Sequence, residues 1–253
     1  MTVSIAVAGK GGTGKTTISG LIVRYLKEKN RGNILAIDAD PSSNLNTVLG
    51  LPLDGTVGDI REEMLTKVGA GAMTPGITKQ DYLEYKVNEV LVESTGIDLL
   101  AMGRPEGQGC YCAANNILRT IIDRIGNEYS YVVIDNEAGL EHLSRRTTQN
   151  VDILLVVTDP TMRGLTAAVR VIELVDELKT KVGKTYLVVN RIDGDLPVPL
   201  KEAIAKLNVQ LVGTVPRDET LADFDAEGRP LVEIPDNSPV YEAVKRIAQE
   251  IGI

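Results

Sequence analysis

The sequence has no tryptophan, one phenylalanine and one histidine. Aromatic residues make up 4% of the 253, so the core must be built from Val, Ile, Leu and Ala. Long apolar runs are also absent. The longest, such as Ile153–Val157, are of strand length, and nothing is long enough to span a bilayer. There is no basic cluster: Lys plus Arg is 27 against 35 Asp plus Glu, a net charge of −8. That balance disfavours non-specific nucleic-acid binding. No basic leader precedes the first strand, which predicts a cytoplasmic chain. Thiols stay reduced there, so the two cysteines are read as ligands or inert residues, not as a disulfide. No repeat or low-complexity linker is visible. With 43% apolar and 25% charged residues, a collagen, a disordered tail and a pure coiled coil are excluded.

What is present is alternation. Strands are predicted over Val3–Ala8, Asn33–Ile37, Ile97–Ala101, Tyr131–Ile134, Asp152–Val157, Thr185–Val189 and Val209–Thr214. Helices are predicted over Thr16–Lys29, Asn115–Ile125, Thr166–Lys179, Leu200–Leu207 and Pro239–Ile251. Near-continuous apolar strands imply burial on both faces, hence an α/β fold with a doubly wound, mostly parallel sheet. Residues 1–253 read as one domain, with 53–112 an insertion that ends in the cysteine loop. Its Leu53–Ser94 part is the least periodic and is placed over the carboxyl edge of the sheet, where ligands bind in such folds.

Gly9-Lys10-Gly11-Gly12-Thr13-Gly14-Lys15-Thr16 fits G-x-x-x-x-G-K-[ST] at every fixed position, between a strand and a helix. Glycines let backbone N–H groups, from Gly11 through Thr17, close around a phosphate where a Cβ would intrude. The helix start favours the same negative charge. Lys15 supplies a cation to the β- and γ-phosphates, and Thr16 a hydroxyl to Mg²⁺. Lys10, directly after the first glycine, makes this the deviant Walker A signature. The sequence here resembles the dimeric ATPases that include cell-division, plasmid-partition and arsenite-pump ATPases and the nitrogenase iron protein. The resemblance implies that Lys10 acts across a homodimer interface on the partner's ATP.

Carboxylates follow the strands. Asp38-Ala39-Asp40-Pro41 ends the second strand; the resemblance assigns Asp40 to the attacking water and Asp38 to the magnesium region. An Asx-turn and helix cap is the other reading of the pair, and both can hold. Asp135 ends Tyr131–Ile134 in a Walker B arrangement and is expected to hold the Mg²⁺ shell through water. Gly139 matches the family's γ-phosphate sensor, although Asn136-Glu137-Ala138 departs from the family's usual wording. Near the end of a late strand stands Asn190-Arg191; the family uses such an Asn to read adenine. Pro216-Arg217-Asp218-Glu219, after the last strand, is placed beside the base. Asn190-Arg191-Ile192-Asp193 also approximates the N-K-x-D guanine motif, with Asp193 as acceptor. The Arg at the lysine position and the presence of Lys10 favour ATP over GTP.

Both cysteines lie in Gln108-Gly109-Cys110-Tyr111-Cys112. Two thiolates two residues apart can chelate one soft ion but cannot complete its shell; a symmetric dimer offers four. Two incidental loop residues is the competing reading. The wider wording, from Gly109 to Asn115 and Ala138-Gly139-Leu140-Glu141-His142-Leu143-Ser144-Arg145, resembles the nickel-insertion accessory ATPases of carbon monoxide dehydrogenase, the CooC family, and their acetyl-CoA synthase relatives. That resemblance implies a metallochaperone holding one Ni²⁺ per homodimer through Cys110 and Cys112, with Zn²⁺ able to occupy the site in vitro. ATP hydrolysis would release the metal to a client nickel enzyme, carbon monoxide dehydrogenase or acetyl-CoA synthase. His142 is given no metal role. The alternatives are a partition- or division-type ATPase without metal, and a nickel-delivery GTPase. An iron-protein-like cluster is disfavoured, because no cysteine follows Cys112. The apolar face of Val240, Ala243, Val244, Ile247 and Ile251 is expected to dock on the core and not on a membrane.

Overall fold

The alternation of strands and helices closes into one eight-stranded sheet in a computed structural model that describes residues 2–69, 76–104, 112–137, 150–177 and 181–253. The strands are β1 (Val3–Gly9), β2 (Ile34–Asp38), β3 (Val92–Ser94), β4 (Ile97–Ala101), β5 (Tyr131–Asp135), β6 (Asn150–Thr158), β7 (Lys181–Ile192) and β8 (Gln210–Pro216). Their order is β3-β4-β2-β5-β1-β6-β7-β8. All neighbours are parallel except β3 with β4, a short antiparallel edge. The expected α/β architecture is therefore the observed one.

Successive residues of each central strand enter opposite cores, as a pleated sheet requires. Ile5, Val7, Ile34, Ala36, Val133, Leu155 and Val188 face one side. There they meet α1 (Lys15–Glu28), α2 (Leu45–Leu49) and α9 (Pro239–Glu250). Ala6, Ala8, Leu35, Ile37, Ile134, Leu154 and Val156 face the other side. That side is covered by α3 (Val57–Gly69), α4 (Lys79–Val90), α5 (Cys112–Gly126), α6 (Met162–Glu177) and α7 (Val198–Ile204). The remaining helix, α8 (Glu219–Ala226), follows β8 at the carboxyl edge. Helix α9 starts on Pro239 with Ser238 as cap and buries Val240, Ala243, Val244 and Ile247, so its apolar face docks on the core as expected.

The 53–94 stretch departs from its aperiodic reading. It folds mainly as α3 and α4, and Val57, Ile60, Met64, Leu83 and Val87 join the second core. It thus covers a face of the sheet and does not simply lie over the edge. Each helix opens on a reciprocal Thr-x-x-Asp box: Asp59 N donates to Thr56 Oγ1 at 3.2 Å, and Asp81 N to Thr78 Oγ1 at 3.1 Å. Among the described residues, no helix is long and apolar enough to cross a membrane.

Candidate nucleotide site

Strand β1 sits between β5 and β6, so the loop that leaves it, residues 10–14, opens in the middle of the carboxyl edge. Gly9 leaves the strand where a Cβ would stand 2.1 Å from the carbonyl oxygen of Val157 on β6. Gly12 and Gly14 turn the loop at φ +77° and +87°, a region that costs side-chain-bearing residues. Gly14 then delivers the chain to α1, whose first N–H groups face the loop. The loop is tied internally. Thr13 Oγ1 donates to the Lys10 carbonyl at 2.8 Å, and Lys15 Nζ reaches the same oxygen at 3.4 Å. A backbone cradle of this kind fits a phosphate, as the motif required.

Lys15 is only 7% exposed. Burial lowers its pKa from the ordinary lysine value, while Asp135, Asp40 and Glu137 work against that by favouring the ammonium. The exposed Lys10 points the other way in character: it is a surface cation on the rim of the loop.

Parallel register lines up the acids. Asp38 on β2 and Asp135 on β5 are direct partners, and Val7 on β1 pairs with Asp135. Asp135 Oδ1 accepts from Ser19 Oγ at 3.1 Å, and Thr16 also donates to this carboxylate. Burial pushes the Asp135 carboxyl up to about 6, against those hydroxyls and Lys15. Asp38 is pushed up to about 7, by burial first and by the charges of Asp135 and Asp40. Its two oxygens accept from Asp40 N at 3.0 Å and Leu45 N at 2.8 Å. Asp38 thus organises the turn that carries Asp40, which is half-buried and itself accepts from Ser42 N at 2.8 Å. The turn reading of the Asp-Ala-Asp-Pro stretch is what the hydrogen bonds display, beside a carboxylate cluster facing Lys15.

The donor set suits a magnesium nucleotide. Hydroxyl and carboxylate oxygens of Thr16 and Asp135 are the hard ligands Mg²⁺ takes, usually with water between. Two carboxyls held above their ordinary range by burial and by neighbouring carboxylates, Asp40 among them, stand where a dication would relieve that repulsion.

Beyond Gly14 a cleft of about 640 Å³ opens between the ends of β7 and β8 and α8, lined by Thr17, Asn190, Arg191, Asp193, Pro216 and Arg217 among others. Asn190 is buried at its head. Its Nδ2 donates to the Thr13 carbonyl at 2.7 Å, and its Oδ1 accepts from Arg191 N at 2.8 Å. Arg191 takes φ +62° at the irregularity between Asn190 and Ile192 in the pairing of β7 with β8. Asp218 caps α8 and takes Ser238 Oγ on its other oxygen. Burial works to raise Asp218, but these donors together hold it below the ordinary carboxylate range.

The structure therefore brings Lys10, Gly11, Gly12, Thr13, Gly14, Lys15, Thr16, Thr17, Asp38, Asp40 and Asp135 to one edge, with Asn190, Arg191 and Pro216 lining the adjoining cleft. Cys110, Gly139 and His142 lie outside the described residues. Cys112 is the first residue of α5. Among the described residues, no group of three or more His, Cys, Asp or Glu is arranged to hold a metal. Sequence reasoning missed Ser19, although Thr16 and Ser19 are i, i+3 neighbours on α1 and so share a face. It also missed Asn136, whose backbone N and Nδ2 both donate to Val7 O at 3.0 Å; Arg217, placed beside the base in the sequence, lines the cleft and binds Asp193. No local pattern singled out Asn136, and none announced the pairing of Arg217 with Asp193.

Comparison with known proteins agrees with this geometry. Residues 4–231 match the CobQ/CobB/MinD/ParA nucleotide binding domain. The chain is 47% identical to an uncharacterized ATP-binding protein of Methanocaldococcus jannaschii, over 98% of this chain and 97% of that one. It is 30% identical to the carbon monoxide dehydrogenase accessory protein CooC of Rhodospirillum rubrum, over 88% of this chain and 87% of that one. Its fold is like that of the septum site-determining protein MinD of Pyrococcus horikoshii, solved with Mg-ADP: TM-score 0.70, 23% identity, covering 100% of this chain and 96% of that one. The chain belongs to the CobQ/CobB/MinD/ParA nucleotide-binding family and is a P-loop ATPase.

Proposed function

We propose that this ATPase is a nickel metallochaperone that works as a homodimer. The observation that carries the reading is Cys110-Tyr111-Cys112 in a chain 30% identical to the CooC accessory protein over most of both lengths. Helix α5 supports it. Its Leu118, Ile121, Ile122 and Ile125 are buried in the core, so the residue that opens the helix, Cys112, is attached to a rigid element. Two such pairs about a two-fold axis supply a four-sulfur set for one Ni²⁺, which a single chain cannot.

In this reading ATP seats its phosphates on residues 10–17 and its adenine in the cleft beside Asn190, Arg191 and Pro216. Thr16 and Asp135 hold Mg²⁺, with Asp38 organising the neighbouring loop. Magnesium held there would supply positive charge to offset that of the phosphates. Asp40 orients water for in-line attack. Lys15, with Lys10 of the partner subunit, stabilises the charge that develops on the transferred γ-phosphoryl group and on the departing ADP. Hydrolysis removes the groups that hold the two chains together, parts the cysteine pairs and hands nickel to a client such as carbon monoxide dehydrogenase or acetyl-CoA synthase.

The test is a titration of Ni²⁺ into the reduced protein with ATP, with ADP and without nucleotide, following mass and thiolate-to-metal absorption together. One metal per two chains is expected, lost in Cys110→Ser with ADP binding retained. Tight stoichiometric nickel binding by Cys110→Ser would overturn the proposal. The fold likeness to MinD favours a second reading, a partition- or division-type ATPase without metal. ATP-dependent dimers that ignore nickel would select it.

A further inference from the structure

We infer that Arg217 is a specificity-determining residue: by pairing with Asp193 on the wall of the base cleft it denies guanine its acceptor and so makes the site select adenine. The inference rests on the reading that this cleft takes the base, and goes beyond it by naming what sets the choice of purine.

The two strand ends create the arrangement. Ile192 on β7 pairs with Pro216 on β8, and Arg217 N donates to the Ile192 carbonyl at 3.1 Å. The residues that follow each strand, Asp193 and Arg217, therefore leave the sheet side by side. Arg217 Nε stands 3.1 Å from Asp193 Oδ2, and both residues line the cleft. Asn190 lies three residues ahead of Asp193 on the same strand end and lines it too.

The chemistry of the two purines then decides. Guanine is read by a carboxylate that accepts from its N1–H and N2 amino group together. Adenine offers no N1–H; its N1 is an acceptor, which a free carboxylate repels and a guanidinium satisfies. Asn190 points to the same choice. One N–H of its Nδ2 and one lone pair of its Oδ1 are used within the protein. What is left is one donor and one acceptor, the pattern of the adenine N7 and N6 edge; guanine presents acceptors at both places. Asp193 and Arg217 are 71% and 69% exposed, and a pair so exposed is itself weak. A base in the cleft covers it, however, and parting two charges out of water costs far more than parting them in it.

The test compares ADP and GDP by calorimetry with Mg²⁺ present, using the full chain, so that neither hydrolysis nor ATP-driven dimerisation contributes. The wild type should prefer ADP. Arg217→Gln should narrow the preference by roughly tenfold, chiefly by tightening GDP, the size expected when a carboxylate gains hydrogen bonds to a ligand. Adding Asp193→Asn to Arg217→Gln should cancel the gain. An unchanged ratio in Arg217→Gln overturns the inference, as does a gain that survives Asp193→Asn. Equal binding of ADP and GDP by the wild type overturns it too. If the wild type binds neither, the nucleotide site itself is wrong, a failure distinct from the others.

Discussion

The two ends of the candidate nucleotide site are built on different physics. At the phosphate end three charged groups are nearly buried: Lys15, Asp38 and Asp135 expose 7%, 1% and 1% of their surface. Burial moves the pKa of each of these three, lowering the lysine and raising the carboxyls of Asp38 and Asp135 to about 7 and about 6. At the base end Arg191, Asp193 and Arg217 are exposed, and in the proposed reading specificity lies in hydrogen-bond pattern and not in field strength. The contrast shows where each task belongs. Transition-state charge is best stabilised where water is excluded, while discrimination between flat, neutral rings needs only the right donors and acceptors.

The comparison can be broken, and the largest effect should come from the buried cation. Lys15→Met removes the charge aimed at the phosphates and leaves Asp135 and Asp40 uncompensated. ATP turnover should fall by roughly a hundredfold or more, the scale of losing a cation at a phosphoryl-transfer centre. Near-normal turnover would mean that the buried end is not where the chemistry occurs.

A pH series sharpens the same point. Asp38 and Asp135 are raised above the ordinary carboxylate value of 3.8, so the folded chain binds protons more tightly than the unfolded one. The stabilisation is therefore present at acid pH and lost as pH rises through 6 and then 7. The melting temperature of the nucleotide-free protein should drop by a few degrees between about pH 5 and pH 8. In Asp135→Asn the lower part of that slope should flatten. A slope identical to wild type would show that Asp135 titrates as an ordinary surface carboxyl does.

The smallest effect of the three belongs to the junction of the two ends. Asn190→Ala removes the bond to the Thr13 carbonyl and strands a buried acceptor. We expect a loss of about 1–2 kcal/mol in urea unfolding and several-fold weaker ADP binding. If ADP binding alone moved, Asn190 would be a ligand contact without a part in fixing the loop.

Much of this was legible in the chain. Strands such as Ile153–Val157 were plain because burial on both faces leaves continuous Val, Ile and Leu. The phosphate loop was plain because backbone cradling demands glycine at fixed places. Helices α3 and α4 were missed, although Thr56-x-x-Asp59 and Thr78-x-x-Asp81 announce both starts. Their apolar stripes are thin: Val57, Ile60 and Met64 on one helix, Leu83 and Val87 on the other. Polar faces and charged pairs such as Lys86 with Glu63 and Glu89 conceal that period. The pairing of Arg217 with Asp193 had no local signature, since it arises from the register of β7 against β8. Long-range register is what a single sequence states least clearly.

The first glycine of the phosphate motif has a consequence of another kind. A methyl at Gly9 would sit 2.1 Å from the Val157 carbonyl oxygen, whereas one at Gly12 would meet nothing within 4 Å. Position 9 is thus answerable to the central sheet, and position 12 to backbone conformation and ligand. In a library selected for folding alone, Gly9 would persist while position 12 drifted toward residues such as Asn that tolerate φ +77°. Two separate selections are written over one another in a motif usually read as a single word, and a descendant that abandoned nucleotides would keep the first and lose the second.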